Sequence, residues 1–368
     1  MNNTGLSEML AQSIMNRYPN PDLYPYKSWS YPQGFMLWGM IKLWENTENK
    51  KYYDYVMEYC NFHVNESGEI SGFAGDSLDD IMAGSLLVWA YSQTGKEKFK
   101  TACAKIRRIF DSYPRSKEGA FWHAKSLADE VWVDGVFMGQ MFLARYGKYI
   151  ADREFCFGEA ARQLILIKEY CEKNSSGLLL HAWSGNRKAD WVCADNNCSP
   201  EVWSEGLGWY ALILAEVLEL YPEKHPEKGR LVHQLKLLLD SLKKHQDPNN
   251  GLWYQVVDKE DSPGNWNDTS GSAMFVYAVS KAMEMGYADR KTFGPVVEKG
   301  YKGILDKAKI NSQGLVDIVD ACDGLCVQKT YEAYIRHPRT VNAKEAVAAV
   351  LWASCQVEHR CTGHLNQQ

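Results

Sequence analysis

Strongly apolar segments of helix length recur six times along the chain, and each has small, polar or acidic residues near its start. The segments begin at Trp29, Leu78, Val133, Ser204, Asp268 and Thr340. Amphipathic stretches alternate with them, such as 96–113, 153–173 and 229–246, with apolar residues three and four positions apart and charges on the other face. This pattern predicts six helical pairs, with the apolar helix of each pair inside and the amphipathic helix outside.

Twelve helices that alternate between an inner and an outer ring, with the inner helices parallel to one another, describe an all-α (α/α)6 barrel. We predict that residues 1–368 form one such domain; a helical bundle of other connectivity is the alternative. The loops that lead into inner helices three to six are long, roughly 16 to 30 residues. Four segments in these loops have a glycine followed by apolar residues: 119–125, 177–185, 251–258 and 314–321. They predict short strands at the functional end of the barrel.

The composition is that of an ordinary globular protein, with 45% hydrophobic and 24% charged residues. A net charge of -5 and the lack of a basic run argue against a nucleic-acid partner, because neutralising phosphates requires a cationic face. No uncharged apolar run is long enough to cross a bilayer, and the beginning of the chain does not resemble a signal peptide. We therefore expect a cytoplasmic protein that does not bind a membrane. Nothing in the sequence indicates its oligomeric state.

The ten cysteines predict neither a disulfide framework nor a metal site. Several, such as Cys60 and Cys103, lie in apolar helical stretches, where a reduced cysteine behaves as a small apolar residue. The motifs CADNNC at 193–198 and CDGLC at 322–326 lack the spacing and the histidine partners of a zinc site. No glycine-rich phosphate loop follows a predicted strand. We expect no cofactor and no metal.

Acidic residues stand at the starts of four inner helices. They are Asp79 and Asp80, Asp134, Glu205 and Asp268. Because all inner helices begin at the same end of a barrel, we expect these carboxylates to converge on its mouth. Any one of them could instead be a helix N-cap, a position that favours aspartate. Capping does not explain the aromatic and histidine residues of the same segments, which are His123, Trp132, His181, Trp183, Trp203 and Trp209.

This combination of residues suits carbohydrate chemistry. The C–H face of a sugar stacks on an aromatic ring, while its hydroxyls need polar neighbours. When two carboxylates are close, the negative charge of one strengthens the other's hold on a proton, which provides a general acid at neutral pH. The helix dipole opposes this effect by favouring the anion. We therefore expect the acid to lie in an apolar, tryptophan-walled pocket beside a partner carboxylate.

At these residues the chain resembles a known family. The segments LDDI (78–81), FWHAK (121–125), WVDGVFMGQMF (132–142), HAW (181–183) and CSPEVWSEGLGWY (198–210) are similar to those of the unsaturated rhamnogalacturonyl hydrolases, glycoside hydrolase family 105. The resemblance runs over nearly the whole chain and extends, more distantly, to the unsaturated glucuronyl hydrolases. It implies an (α/α)6 barrel and a hydrolase that hydrates the C4=C5 double bond of a terminal uronate left by a polysaccharide lyase. The resulting hemiketal opens and expels the aglycone.

The resemblance also implies roles for individual residues. Asp134 matches the family's proton donor to C4 and activator of water at C5, and Asp79 matches its partner carboxylate. His123 and His181 match histidines that contact the substrate. The other implied substrate-binding residues are Trp132, Trp203 and Trp209, which match the ring-stacking walls, together with Tyr31. An enol ether becomes cationic at C5 once C4 is protonated, so this reaction needs an acid beside an anion.

One position departs from the family's pattern. The family commonly has an arginine two residues after the tryptophan that matches Trp203, and that arginine is a candidate partner for the uronate carboxylate. Here the position is Glu205, which leaves the substrate open but not the reaction class. Arg187, Lys188 or Lys125 could supply the missing charge, although most such cations are solvated. We place Glu205 and Arg187 in the substrate-binding set and expect unsaturated galacturonyl-rhamnose as the substrate.

Two other functions fit the sequence. A sugar epimerase or isomerase of the N-acylglucosamine 2-epimerase type shares the barrel and works through paired histidines, for which His123 and His181 are candidates. A non-catalytic carbohydrate-binding toroid would retain the tryptophan walls and tolerate Asp134→Asn. Loss of the ultraviolet absorbance of an unsaturated substrate distinguishes the hydration from both.

Overall fold

The computed structural model describes residues 5–365, and it describes side chains as far as residue 359. The predicted all-α barrel of helical pairs is confirmed. The inner helices are α2 (Tyr31–Thr47), α4 (Asp79–Met82) with α5 (Gly84–Thr94), α7 (Val133–Tyr149), α9 (Ser204–Leu220), α11 (Thr269–Glu284) and α14 (Lys344–Leu365). The outer helices are α1 (Leu6–Arg17), α3 (Lys50–His63), α6 (Glu97–Ile109), α8 (Arg153–Cys171), α10 (Lys228–Lys244) and α12 (Arg290–Leu305). The loops contain a 3-10 helix at Pro21–Leu23 and the short helix α13 (Tyr331–Ile335).

The inner helices form a closed ring in which each helix packs against the next. The helix α2 packs against α4 and α5, these pack against α7, and the ring continues through α9 and α11 to α14. It closes where α14 packs against α2. The outer helix that packs on α14 is α1. The first and last helices of the chain therefore form the sixth pair.

Burial explains why the two sets of helices differ in sequence. In α9 every residue from Ser204 to Leu218 is buried, as expected for a helix that other helices surround. The outer helix α6 buries a stripe that includes Phe99, Cys103 and Ile106, at three- and four-residue spacing. Although the inner helices are strongly apolar, no helix within residues 5–365 is long and apolar enough to cross a membrane.

The second inner helix differs from its prediction. The sequence predicts one continuous helix from Leu78, whereas the structure interrupts it at Ala83, between α4 and α5. The helix α2 approaches this point closely, because a β-carbon added to Gly34 would lie 2.3 Å from the Met82 sulfur and 2.9 Å from the Ala83 Cα atom. A glycine at position 34 is therefore what allows the two helices to pack this tightly.

Short antiparallel strands lie in the loops at the end where the inner helices begin. They form four two-stranded sheets: β1 (Glu130–Trp132) with β2 (Ala182–Ser184), β3 (Trp253–Tyr254) with β4 (Asn267–Asp268), β5 (Ala308–Ile310) with β6 (Val316–Ile318), and β7 (Ala321–Cys322) with β8 (Arg339–Thr340). Three of the four predicted segments contain a strand, whereas 119–125 forms isolated bridges at Phe121 and Ala124. Since β1 runs directly into α7 and β4 into α11, these sheets help to fix the first residues of the inner helices.

Candidate active site

A cavity of about 230 Å³ opens at the end of the barrel where the inner helices begin. Eight of the ten predicted site residues line it: Tyr31, Asp79, His123, Trp132, Asp134, Trp203, Glu205 and Trp209. The other lining residues are Tyr26, Met138, Gly324, Leu325, Cys326 and Lys344. The structure thus brings acidic residues from three inner helices, α4, α7 and α9, to one cavity.

Asp134 and Asp79 belong to neighbouring inner helices, and His123 interacts with both. Asp134 is the second residue of α7 and Asp79 is the first residue of α4. The His123 Nε2 atom lies 3.7 Å from a carboxylate oxygen of Asp79, and the His123 ring stacks on Trp132 with 4.3 Å between centroids. Space for this histidine depends on Gly135, because a β-carbon at that position would lie 2.8 Å from His123 Nδ1.

The charges of these side chains alter one another's pKa values. Burial raises the pKa of Asp134, the positive charge of His123 opposes this, and the Asp79 carboxylate adds to it, so that the pKa is about 6. Burial lowers the pKa of His123, but the carboxylates of Asp79 and Asp134 outweigh it and raise the pKa to about 9. At neutral pH His123 is therefore cationic. Asp134 is protonated in a fraction of the molecules that grows as the pH falls towards 6.

His181 is buried next to Asp134 and is not among the residues that line the cavity. Its Nε2 atom is 4.0 Å from Asp134 Oδ1, and its Nδ1 atom is 3.0 Å from the hydroxyl of Tyr334. Burial and the charge of His123 lower the pKa of His181 to about 3, so its ring is neutral. The Tyr334 oxygen also accepts a hydrogen bond from the backbone N–H of Gln328 at 3.3 Å. When Tyr334 donates its own proton to His181 Nδ1, the ring proton of His181 lies on Nε2, which faces Asp134.

Aromatic rings form one part of the cavity wall. Trp132 lies edge-on to His181 at 6.0 Å, and Trp203 packs against the same histidine at 4.5 Å. Trp209 packs edge-on against Tyr31 at 6.1 Å. Trp203 and Trp209 are each 2% exposed, so packing within the barrel holds them in place. The cavity therefore presents fixed aromatic surfaces on which a sugar ring can stack.

Glu205 and Asp268 illustrate two different reasons for an acidic residue at a helix start. Asp268 is the N-cap of α11, and its carboxylate accepts hydrogen bonds from the backbone N–H groups of Ser270 and Gly271, so capping explains it. Glu205 instead has the Ser270 hydroxyl 2.7 Å from its Oε2 atom, and the same hydroxyl lies 2.8 Å from Asp268 Oδ2. Burial raises the pKa of Glu205 well above its usual range, and the charges of Glu345 and Asp268 raise it further. These surroundings favour the neutral form of Glu205.

Three residues of the site were not predicted from the sequence: Tyr334, Lys344 and Glu345. The last two begin α14, where Glu345 accepts a hydrogen bond from the Tyr31 hydroxyl at 2.6 Å and lies 2.8 Å from the Lys344 ammonium. Glu345 is the second residue of its inner helix, the position that Asp134 has in α7, so the same rule could have found it. Tyr334 carries no such signal because it lies on the short helix α13, within a loop.

The cations proposed from the sequence lie away from the cavity lining. The Arg187 side chain is exposed and donates a hydrogen bond to the backbone oxygen of Ala194. Lys188 is also exposed, and Lys125 pairs with Asp76 at 3.0 Å. None of the three lines the cavity, so the structure does not support Arg187 as a substrate-binding residue. Arg187 has a positive φ of 57°. Its side chain stays on its own loop, where it meets the backbone of Ala194.

The site combines a protonatable buried carboxyl, a carboxylate paired with a cationic histidine, and aromatic walls. Such a site can deliver a proton to a bound sugar and stabilise the positive charge that results. Among the side chains that the structure describes, no group of three or more histidine, cysteine, aspartate or glutamate residues is placed to hold a metal ion.

Comparisons with known proteins agree with this fold. The family model described as Glycosyl Hydrolase Family 88 matches residues 6–361. The chain is 27% identical over 337 residues to the unsaturated rhamnogalacturonyl hydrolase YesR of Bacillus subtilis (strain 168), a match that covers 90% of each chain. The resemblance that the sequence motifs predict is therefore confirmed.

Two solved structures show the same architecture. A glycoside hydrolase from family 105 of C. acetobutylicum ATCC 824 has a TM-score of 0.90 and 29% sequence identity, over 96% of this chain and 99% of that one. The unsaturated glucuronyl hydrolase of Bacillus sp. GL1 has a TM-score of 0.68 and 13% identity, over 96% of this chain and 97% of that one. At that identity the second likeness bears on the fold alone.

Proposed function

The chain belongs to glycosyl hydrolase family 88, and from this premise we propose that it removes the terminal 4,5-unsaturated uronic acid from lyase-generated oligosaccharides. The proposed reaction is hydration of the C4=C5 double bond. The similarity of this chain to a protein named as an unsaturated rhamnogalacturonyl hydrolase supports unsaturated galacturonyl-rhamnose as the substrate. A cytoplasmic location remains a prediction from the sequence.

The observation that carries the proposal is the buried Asp134 carboxyl, whose pKa is about 6. At its ordinary pKa of 3.8 an aspartate is almost fully ionised at neutral pH and has no proton to donate. Raising the pKa towards the working pH makes the group a competent general acid. His123 and Asp79, which face it, provide a cation and an anion within the same cavity.

In the proposed first step, Asp134 donates its proton to C4 of the unsaturated ring. The electrons of the C4=C5 bond form the new C–H bond, so positive charge develops at C5 and on the ring oxygen. The Asp79 carboxylate supplies the negative charge that stabilises this cation. Trp132, Trp203 and Trp209 hold the flat ring in position.

In the second step, a water molecule adds to C5 and passes its proton to Asp134, which restores the acid. The product is a hemiketal at C5, and opening of the ring releases the aglycone. Between the two steps the Asp134 carboxylate faces the Nε2–H group of His181 at 4.0 Å. We infer that Tyr334 donates to His181 Nδ1 and so keeps the ring proton on Nε2, which makes Tyr334 a positioning residue.

The geometry does not favour the isomerase. An enzyme of that kind needs a neutral histidine that faces the substrate as a base. His123 faces the cavity but is cationic at neutral pH, since its pKa is about 9. His181 is neutral, with a pKa of about 3, but it is buried and does not line the cavity.

Replacing the acid tests the proposal. We expect wild-type protein to remove the ultraviolet absorbance of an unsaturated galacturonyl-rhamnose disaccharide. Asp134→Asn should lower kcat/KM by a factor equivalent to about 3–5 kcal/mol of transition-state stabilisation, because both proton delivery and water activation are lost. Its thermal unfolding should stay close to that of the wild type, because the replacement is nearly isosteric.

Asp76→Asn is the matched control, since Asp76 is exposed and pairs with Lys125 outside the cavity lining. Its rate should equal that of the wild type. If Asp134→Asn kept a rate within about tenfold of wild type, equivalent to 1.4 kcal/mol, Asp134 would not be the proton donor, and Asp79 or Glu205, the other acidic residues that line the cavity, would become the candidate.

A further inference from the structure

A uronate substrate brings a carboxylate into a cavity that already contains three acidic side chains, Asp79, Asp134 and Glu205. At the place where the family commonly has an arginine, this chain has Glu205. The cavity-lining residues that the structure describes include one lysine, Lys344, and no arginine. Lys344 begins α14, far along the chain from Glu205. A cation for the substrate therefore has to come from a different helix.

The Lys344 ammonium is held in the cavity by its neighbours. It lies 2.8 Å from Glu345 Oε1, the oxygen that also accepts the Tyr31 hydroxyl at 2.6 Å. The lysine side chain is 18% exposed, so the ion pair with Glu345 leaves it accessible from the cavity. Burial lowers the pKa of Lys344, but Glu345 outweighs it and raises the pKa, so the ammonium is charged at neutral pH. An ammonium has three N–H donors, and Glu345 accounts for one of them.

The loop at Gly324 passes close to the Lys344 ammonium. Gly324 has a positive φ of 46°, and a β-carbon there would lie 2.9 Å from Lys344 Nζ and 2.8 Å from Glu345 Oε1. Since Gly324 also lines the cavity, a side chain at this position would intrude on the ion pair itself.

The surroundings of Glu205 disfavour a negative charge on its carboxyl. Burial raises its pKa well above the usual range, and the charges of Glu345 and Asp268 raise it further. The Ser270 hydroxyl lies 2.7 Å from Glu205 Oε2 and 2.8 Å from Asp268 Oδ2. The change from arginine to glutamate therefore removes a cation from this helix, while the surroundings of Glu205 reduce its tendency to ionise and repel a uronate.

His123 is a poor alternative for binding the uronate, although it is cationic. Its Nε2 atom faces Asp79 at 3.7 Å, and its Nδ1 atom is packed against Gly135. The flat face of its ring is covered by Trp132. Because its Nδ1 atom is buried and its Nε2 atom already faces a carboxylate, His123 is less available than Lys344 to bind a second anion.

We propose that the Lys344 ammonium, oriented by Glu345 and Tyr31, binds the carboxylate of the substrate's unsaturated uronate and so fixes the specificity of the site for the free acid. This assignment rests on the proposed function, since it presupposes that a uronate enters the cavity. Lys344 is then the substrate-binding cation. Arg187 and Lys125 cannot take this role, because neither lines the cavity.

The test compares an unsaturated uronyl disaccharide with its uronate methyl ester, which has no negative charge. For Lys344→Met, KM for the free acid should rise about 10- to 100-fold, the effect of losing a hydrogen bond to a charged group, whereas KM for the ester should change little. Lys344→Arg should keep most of the preference for the acid, because it keeps the cation. Lys125→Met, which removes an exposed lysine outside the cavity lining, should match the wild type with both substrates.

A merely structural role for Lys344 would give a different result. Loss of the Glu345 ion pair alone would weaken the turnover of acid and ester alike, so an equal change in both KM values, or an unchanged ratio of the two, would overturn the assignment. Failure of the proposed function would look different again, because the wild type would consume neither compound. In that case calorimetric titration of wild type and Lys344→Met with galacturonate still decides the matter, since equal affinities would refute a carboxylate site at Lys344.

Discussion

Glu205 and Glu216 lie on the same inner helix, about three turns apart, and are 1% and 0% exposed, yet their pKa values shift in opposite directions. Burial raises the pKa of both. At Glu205 the nearby carboxylates Glu345 and Asp268 raise it further. At Glu216 the cations Lys42 and Arg145 outweigh burial and lower the pKa to about 2. Burial alone therefore does not set the ionisation of a carboxyl in this barrel, because the neighbouring charges decide it.

These opposite pKa shifts correspond to different structures at the two ends of the barrel. Glu216 forms ion pairs with Lys42, at 2.9 Å, and with Arg145, and it accepts a hydrogen bond from the Tyr277 hydroxyl. These residues belong to α2, α7, α9 and α11, so the cluster links four inner helices. It borders a cavity of about 640 Å³ that is also lined by Lys42 and Arg145. At the end with Glu216, ion pairs between charged side chains link the helices, whereas at the other end burial raises the pKa values of Glu205 and Asp134 and favours their protonated forms.

The largest expected effect comes from removing the charge of Glu216. Glu216→Gln leaves Lys42 and Arg145 buried beside a neutral amide, and breaking a buried ion cluster in this way costs about 3–5 kcal/mol of the free energy of unfolding. Urea unfolding at neutral pH measures the loss. Because the folded pKa of Glu216 is depressed, its contribution is complete above about 4.5 and disappears as the pH falls towards 2. The deficit of the variant should shrink over the same range.

Glu219→Gln on the same helix is the matched control. Glu219 is 40% exposed and pairs with Lys281 at 2.5 Å, and Lys281 keeps Glu284 as a second partner at 3.2 Å. Its replacement should cost no more than about 1 kcal/mol. Equal losses in the two variants would show that the buried cluster contributes no more than a surface pair.

The pH dependence of the rate sharpens the contrast at the other end. The reaction needs protonated Asp134, so kcat/KM should be level below a pH of about 6, the pKa of Asp134, and fall tenfold per pH unit above it. His123→Gln removes a positive charge that lowers the pKa of Asp134, so this decline should move to higher pH even though the rate itself drops. The pH of the decline and its shift in His123→Gln are both measured from initial rates of absorbance loss between pH 5 and 9. This range spans about four units and includes the unperturbed histidine pKa. A decline that stays in place in His123→Gln would show that another group controls it.

The sequence was sufficient to predict the barrel because the inner and outer helices bury different fractions of their surfaces, which leaves a periodic pattern. It was also sufficient to place Asp79, Asp134 and Glu205 at helix starts, since topology then brings those starts together. The position of Arg187 could not be predicted, because it depends on the path of a loop. Tyr334 was missed for a similar reason, since it meets His181 across 153 positions of the chain.

Ionisation was the property least accessible to the sequence. From the sequence alone, Glu205 in the place of the family's arginine suggests a negative charge where the family has a positive one. The rise in the pKa of Glu205 that opposes this charge depends on burial and on Glu345 and Asp268, two residues that approach it only when the ring of inner helices closes. Capping was likewise a reasonable explanation for every acidic helix start, and it holds for Asp268 but not for Glu205.

The smallest expected effect comes from Glu205→Gln, and its sign separates the two glutamates. A protonated glutamate and a glutamine have nearly the same shape and both can accept the Ser270 hydroxyl, so at pH near 4.5 the free energy of unfolding should change by less than about 1 kcal/mol. Above that pH the unfolded wild type releases a proton that the folded protein retains, which destabilises the wild type but not the variant. Glu205→Gln should therefore gain on the wild type as the pH rises, whereas the deficit of Glu216→Gln should stay level over the same interval, because the contribution of Glu216 is already complete there. Urea unfolding of both variants between pH 4.5 and 7.5, about three units starting at the ordinary pKa of glutamate, measures the two slopes. If Glu205→Gln gained nothing on the wild type as the pH rose, Glu205 would be ionised in the folded protein and would compete with a substrate for the Lys344 ammonium.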